Sequence, residues 1–159
     1  MEYPEIRTKR LHLRELTLDD SAALFVHFSD PDVTRFMDID ELAVEQEAIN
    51  IINWHAKDSG CRWGMFIEGK LIGTCGYHRL QNNQAEMGYD LAKAYWGQGY
   101  MKESLEAIID FGFNTMQLGM IEAEVESDNA RSIGLLKRLG FVYDLSRADE
   151  EFDWYVLSR

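Results

Sequence analysis

Cysteine, proline and positive charge are all scarce in this sequence. Its 159 residues hold two cysteines, two prolines and four histidines. Cys61 and Cys75 lie inside alternating apolar segments with no CxxC or Cys/His spacing, so they predict buried, reduced thiols. His27, His55 and His78 have no paired spacing and His12 stands alone on an opening strand, so no metal site is assigned. No apolar run approaches the length needed to span a bilayer. Met1-Glu-Tyr-Pro-Glu5 lacks the basic-then-apolar pattern of a secretory leader. The expectation is a cytoplasmic protein with no membrane partner. Lysine and arginine number 16 against 28 aspartates and glutamates, a net charge of -12. Phosphate backbones require a basic footprint, which excludes a nucleic-acid partner. The acidity suits a cationic substrate such as an amine, although an acidic surface also serves solubility.

What is present is patterned throughout. A hydrophobic content of 46% suits one globular domain over residues 1–159 with one substantial core. Arg10–Glu15 alternates as an opening strand, and Thr17-Leu-Asp-Asp20 resembles a capping box leading into a helix through Phe28. Pro31 marks a break, and Leu42–Lys57 carries Ala48, Ile51, Ile52 and His55 on one helical face. The period then changes to two. Cys61–Ile67, Leu71–His78 and Ala85–Leu91 read as three strands joined by turns at Glu68-Gly-Lys70 and Gln81–Gln84. Met101, Leu105, Ile108, Ile109, Gly112 and Met116 form a helical stripe, and Met120–Glu126 alternates again. Ser127-Asp-Asn129 opens a helix to Leu139, with Gly140 as its C-terminal cap and Phe141 as the accompanying apolar contact. Strands near Phe141–Leu145 and Glu151–Leu157 complete an α/β order of β-α-α-β-β-β-α-β-α-β-β.

The chemistry concentrates between the fourth strand and the long helix. In Tyr95-Trp-Gly-Gln-Gly-Tyr-Met-Lys-Glu103, Gly97 and Gly99 let successive backbone N–H groups converge at a helix N-terminus. Such a turn holds a pyrophosphate without many cationic side chains. A Rossmann dinucleotide site is the first rival. It fails because Lys102 occupies the third glycine position, because the lead from Leu91 to Gly97 is too long, and because 159 residues leave little room for a second half.

The following segment sharpens the reading. Asn129, Ser132, Ile133 and Leu136 line one face of the helix start. With Ala85-Glu-Met-Gly-Tyr-Asp-Leu91, Tyr95–Glu103, and Asn129-x-x-Ser132 through Lys137-Arg-Leu-Gly-Phe141, the sequence resembles the GNAT acetyltransferase superfamily. It is similar specifically to the ribosomal-protein N-acetyltransferase (RimJ/RimL-type) branch, which the opening Thr8-Lys-Arg-Leu-x-Leu-Arg14 also resembles. The resemblance implies a GNAT fold of the α/β (α+β) class. Its sheet would be mixed, mostly antiparallel and twisted, with about seven strands flanked by about four helices. One departure is Ala94, where the superfamily often has Arg or Gln; it shifts phosphate binding onto backbone groups.

The resemblance further implies acetyl-CoA as cosubstrate, lying between splayed fourth and fifth strands. Its pantetheine would pair with backbone near Tyr89, Asp90 and Leu91, and its pyrophosphate with N–H groups of Gly97, Gln98, Gly99, Tyr100, Met101 and Lys102. Asn129 would hold the pantetheine arm, and Lys137 or Arg138 would approach the adenosine phosphates. A lysine-like amine with a pKa of about 10 must lose a proton before it attacks, so a carboxylate is needed. Glu86 is the first candidate, Glu124 the second and Asp153 the third; each is equally a type of residue found on solvated strand faces. A backbone N–H near Leu91 would stabilise the oxyanion. Where many relatives place a tyrosine acid this sequence has Leu136, and Ser132 stands where the ribosomal-protein branch has a serine in that role. Tyr100 and Tyr143 are weaker substitutes, and the local alternative for Ser132 is a hydrogen bond within its own helix.

The implied reaction is acetyl transfer to a primary amine, either a protein N-terminal α-amine or a small molecule, by direct attack in a ternary complex. A non-catalytic acetyl-CoA-binding sensor or partner module is the alternative class. An exposed sheet edge would allow two copies to pair.

Overall fold

The computed structural model describes residues 3–57, 60–147 and 149–159. Met1 and Glu2, at the start of the acidic N-terminal segment, lie outside the described residues. The strands are β1 (Ile6–Arg7), β2 (His12–Glu15), β3 (Cys61–Ile67), β4 (Lys70–Gln81), β5 (Gln84–Leu91), β6 (Met120–Glu126), β7 (Val142–Tyr143) and β8 (Phe152–Ser158). The α-helices are α1 (Ser21–Phe28), α2 (Pro31–Thr34), α3 (Glu45–Lys57), α4 (Tyr100–Asn114) and α5 (Ala130–Arg138). The strands form one mixed sheet in the order β1-β2-β3-β4-β5-β6-β8-β7, in which β5–β6 is the parallel pair. Among the described residues no helix is long and apolar enough to cross a membrane.

This is the mostly antiparallel sheet expected, with eight strands among the described residues where about seven were anticipated. The extra one is β1, which pairs with β2 through Ile6↔Leu13 and Arg7↔His12. Two residues carry no period, so only the pairing reveals it. The break at Pro31 instead holds the one-turn helix α2, with the Asp30 side chain accepting from the Asp32 N–H at 2.9 Å.

Period-two alternation divides the core between two layers. Met65 belongs to a cluster with Leu105 and Ile108 of α4 and Leu136 of α5, whereas its neighbour Phe66 packs with Leu24 of α1 and Ala48 and Ile52 of α3. Both cysteines are free and buried; burial pushes Cys61 up to about 11 and Cys75 up to about 12, so neither is a nucleophile at neutral pH. The end of α5 follows its sequence signals: Gly140 has φ +91°, and the Phe141 N–H reaches Leu136 O at 3.0 Å. Trp63 is fully buried, but Trp54 is 58% exposed, because its position on α3 falls on the face away from Ala48 and Ile52.

Helix α4 is the element that presents the Gly97/Gly99 turn, and its seat on the sheet is apolar. Leu105 and Ile108 are fully buried, and the Tyr77 hydroxyl donates to Ile108 O at 2.7 Å. Leu105→Ala is expected to lower unfolding free energy by about 2–5 kcal/mol. Urea denaturation checks this, and a loss below about 1 kcal/mol would show that α4 is not anchored there.

Candidate active site

The cleft arises from strand pairing. Strands β5 and β6 pair only at Gln84↔Met120, Ala85↔Ile121 and Glu86↔Glu122. Beyond Glu86, β5 stays paired to β4 as far as Gly73↔Leu91, and β6 stays paired to β8 as far as Glu126↔Phe152. Each strand keeps its antiparallel partner, so the two diverge. Between them opens a cavity of about 880 Å³, lined by β5 from Glu86 to Leu91, by Glu124–Glu126 of β6 and by the starts of α4 and α5.

The turn between β5 and α4 sits at the mouth of this cleft. Gly97 has φ +71° and Gly99 φ +81°, a region costly for any residue with a Cβ. Gly99 is the N-cap of α4, so the N–H groups of Tyr100, Met101 and Lys102 have no partners within the helix. The loop between β1 and β2 braces the turn. Arg10 donates from Nη1 to Gln98 O at 2.9 Å and pairs through Nε with Glu103 at 2.7 Å, while the Thr8 hydroxyl donates to Glu103 at 2.6 Å. Burial would push the Glu103 carboxyl up, but the hydrogen bonds from Thr8 and Arg10 outweigh it and hold the group below the usual carboxylate range. The Trp96 indole N–H donates to Leu91 O at 2.8 Å, and the Arg131 guanidinium stacks 3.3 Å from the Trp96 ring centroid. Trp96 therefore ties β5, the turn and α5 together.

Of the residues expected to contact a cofactor, Tyr89, Asp90, Leu91, Gly97, Gly99, Tyr100, Met101, Lys102, Asn129 and Ser132 all line the cavity. Gln98 and Lys137 do not. The Gln98 side chain turns back to Ala94 O at 2.9 Å, and helical phase places Arg131, Leu135 and Arg138 of α5 at the cleft instead of Lys137. The Asp90 side chain is also committed elsewhere. It is buried, with Oδ1 2.6 Å from His27 Nε2 and 3.0 Å from the Thr74 N–H, and with Oδ2 2.8 Å from Arg62 Nη2 and accepting from the Thr74 hydroxyl at 2.5 Å. Burial would raise its carboxyl, but His27, Arg62 and Thr74 outweigh that and hold it below its ordinary value of 3.8.

The three carboxylates differ in surroundings. Glu86 is bracketed by His78 Nε2 at 3.0 Å and Arg79 Nη1 at 2.6 Å. Burial raises its carboxyl, yet His78 and Arg79 more than offset this, leaving its proton affinity below normal. Glu124 lines the same cavity and is shifted the other way, first by burial and then by the negative charge of Glu86. Asp153 is not on the cavity; the Tyr143 hydroxyl donates to it at 3.3 Å, and its strand neighbour Phe152 faces the cleft instead. Tyr143 is likewise outside, whereas Tyr100 lines the cleft beneath the Arg10 guanidinium.

The start of α5 completes the site. Asn129 is its N-cap, with Oδ1 accepting from the Ser132 N–H at 3.2 Å, so the carboxamide nitrogen is its remaining donor toward the cavity. Ser132 Oγ lies 2.6 Å from the Tyr89 hydroxyl, across the cleft on β5, in place of the local helical bond that was the alternative. Sequence reasoning missed Arg10 and Glu103 as braces, His78 and Arg79 as partners of Glu86, and the Tyr89 side chain. Their one sequence signal is the alternation that sets His78 opposite Glu86 on paired strands. Among the described residues no group of His, Cys, Asp or Glu is placed to hold a metal ion.

A family profile described as an acetyltransferase (GNAT) domain matches residues 10–142. An uncharacterized N-acetyltransferase, p20, of Bacillus licheniformis is 37% identical over 142 residues, covering 84% of this chain and 80% of its own length. A ribosomal-protein-serine acetyltransferase of Escherichia coli is 30% identical over 90 residues, covering 55% of this chain and 50% of its own. A ribosomal L7/L12 α-N-protein acetyltransferase, RimL, solved with coenzyme A, shares the fold with a TM-score of 0.86 at 17% identity, covering 98% of each chain.

The buried Asp90 cluster makes a pH-dependent prediction. A depressed carboxyl contributes stability that is fully present above its unfolded value of 3.8 and is lost as pH falls through the folded value. Asp90→Asn strands Arg62 and should cost about 3–5 kcal/mol near neutral pH. In urea unfolding the gap to the native protein should narrow below pH about 4, and a gap that stays constant into acid would contradict the assignment.

Proposed function

We propose, from a chain that belongs to the GNAT acetyltransferase family, that it carries an acetyl group from acetyl-CoA to a primary amine bound in the same cleft. The observation that carries this reading is the unpaired edge of β5 from Met87 to Leu91, which runs directly toward the open N-terminus of α4. GNAT acetyltransferases use acetyl-CoA, and the cleft fits it. An extended, amide-bearing arm can pair with the bare edge as an added strand would. A Cβ at Gly97 would meet nothing within 4 Å, so the turn leaves open space where a pyrophosphate would approach its backbone. Arg138, which lines the cleft where Lys137 does not, would meet the adenosine phosphates, and Asn129 Nδ2 would hold the arm.

The thioester supplies the acetyl group; the chain supplies proton handling and alignment. Glu124 is the better base, because its raised proton affinity suits accepting a proton, whereas His78 and Arg79 hold Glu86 in a paired, weakly basic state. Glu86 then acts on Glu124 through its charge. Ser132 Oγ–H is the donor to the departing sulfur; a thiolate whose conjugate acid has a pKa of about 8.5 needs no more than that hydrogen bond to leave. The cleft lining includes Asp38, Glu124 and Glu126 together with Phe36 and Phe152, which suits a cationic amine with an apolar flank. The motifs shared with the RimJ/RimL-type branch favour a protein N-terminal α-amine, and the acidity equally admits a small-molecule amine.

Free-thiol release from acetyl-CoA in the presence of an amine panel, followed by mass spectrometry of the products, tests the reading; binding without any acetylated product would reject it. Glu124→Gln should lower kcat about 100-fold. The native kcat should also fall with acid through a value above the ordinary 4.5, because the base must be deprotonated, and the variant should lose that limb. Gly99→Leu should abolish acetyl-CoA binding in calorimetry, since it places a side chain at a φ of +81° in the turn.

A further inference from the structure

Ser132 alone is a poor candidate for its role, since an aliphatic hydroxyl rotates freely and can point its hydrogen anywhere. The structure removes that freedom. Its Oγ is 2.6 Å from the phenolic oxygen of Tyr89, and both residues line the cleft at the level where β5 has lost its partner strand. We propose that Tyr89 is a positioning residue that donates its hydroxyl hydrogen to Ser132 Oγ and so directs the serine's own hydrogen toward the departing sulfur. This rests on the acetyl-transfer reading above and assigns the Tyr89 side chain a task separate from its backbone.

The direction of the hydrogen bond follows from acidity. A phenol is a far stronger acid than an aliphatic alcohol, so between the two the phenol is the better donor and the serine oxygen the better acceptor. Burial pushes the Tyr89 hydroxyl up to about 12, so it keeps its hydrogen at neutral pH and remains a donor throughout the working range. With one lone pair of Ser132 Oγ filled, the remaining serine hydrogen needs another acceptor. The Ser132 backbone is fixed as well, since its N–H bonds Asn129 Oδ1 at 3.2 Å. Rotation about the Cα–Cβ bond, which places Oγ, is held by the Tyr89 contact. Rotation about Cβ–Oγ, which aims the hydrogen, is narrowed because Tyr89 fills one lone-pair direction. Proton balance is simple: no proton leaves Tyr89. The amine nitrogen bonds the acetyl carbonyl carbon and gives up its proton to Glu124. The C–S bond breaks with its electron pair going to sulfur, and Ser132 Oγ–H stabilises the thiolate by donation; a buried tyrosinate is never formed.

The contact also joins β5 to α5 across the cleft, so a purely structural role must be distinguished. Tyr89→Phe keeps the ring and removes only the hydroxyl. The expected result is a fall in kcat of about tenfold with the KM for acetyl-CoA within about twofold, the size of one lost hydrogen bond made chiefly in the transition state. Tyr89→Phe/Ser132→Ala should be no slower than Ser132→Ala alone, because the tyrosine acts only through the serine. A readout independent of turnover is the affinity for coenzyme A against its desulfo analogue. Both Tyr89→Phe and Ser132→Ala should erase the same part of the preference for the thiol form at alkaline pH, leaving desulfo affinity unchanged. If Ser132→Ala keeps full turnover, the acetyl-transfer reading of Ser132 fails, and this inference with it. If Ser132→Ala is slow but Tyr89→Phe is unimpaired, or if the two losses multiply, the positioning role alone is overturned. Equal losses of desulfo and thiol affinity in Tyr89→Phe would show a merely structural contact.

Discussion

The separation of β5 from β6 after three paired positions is the constraint on which the site depends. Neither strand bends away freely. Strand β5 is held by β4 to its last residue and β6 by β8 to its last residue, so continued parallel pairing would require one of those antiparallel ladders to break. The divergence leaves backbone groups that a closed sheet would have consumed, and a buried edge of that kind needs partners. On the proposed reading a pantetheine-like arm would provide them. The cleft is thus a gap in the sheet's hydrogen bonding, not a pocket carved from loops.

An acidic protein faces a conflict when its ligand carries phosphates. At a net charge of -12 the long-range field opposes an anion. On the proposed reading the arrangement would resolve this locally: N–H groups at the start of α4 would act at contact distance, and Arg131 and Arg138 stand on the neighbouring helix. Arg10 is nearby but is paired with Glu103, so its main work is bracing the turn. The same negative field would favour a cationic acceptor, and Asp38, Glu124 and Glu126 line the cleft. On that reading, one cavity would present backbone to an anion and carboxylates to a cation.

How much of this was legible in the sequence depends on range. The α4 stripe, the Gly97/Gly99 turn, the Asn129 cap and the Gly140 stop are local patterns, and each stands where its spacing placed it. The sheet order rested on resemblance. What escaped was set by contacts distant in sequence. His27 meets Asp90 63 residues away, and Tyr89 meets Ser132 43 away, so neither pair leaves a periodic trace. Glu86 and Glu124 look alike as alternating strand carboxylates; the opposite shifts come from His78 and Arg79, whose reach depends on the β4–β5 register. Lys137 and Arg138 differ by one step of helical phase, which motif spacing does not resolve. Trp54 shows the limit of composition, since it counts toward the hydrophobic content yet is exposed on α3.

Amide hydrogen exchange with and without acetyl-CoA tests the central claim most directly, because the account assigns binding to particular backbone N–H groups. Protection is expected to rise along Met87–Leu91 on the open edge of β5 and at Gly99–Lys102, with β3 and its ladder to β4 unchanged. Protection spread evenly over the sheet, or none at those two segments despite binding, would contradict a cleft built from the divergence of β5 and β6.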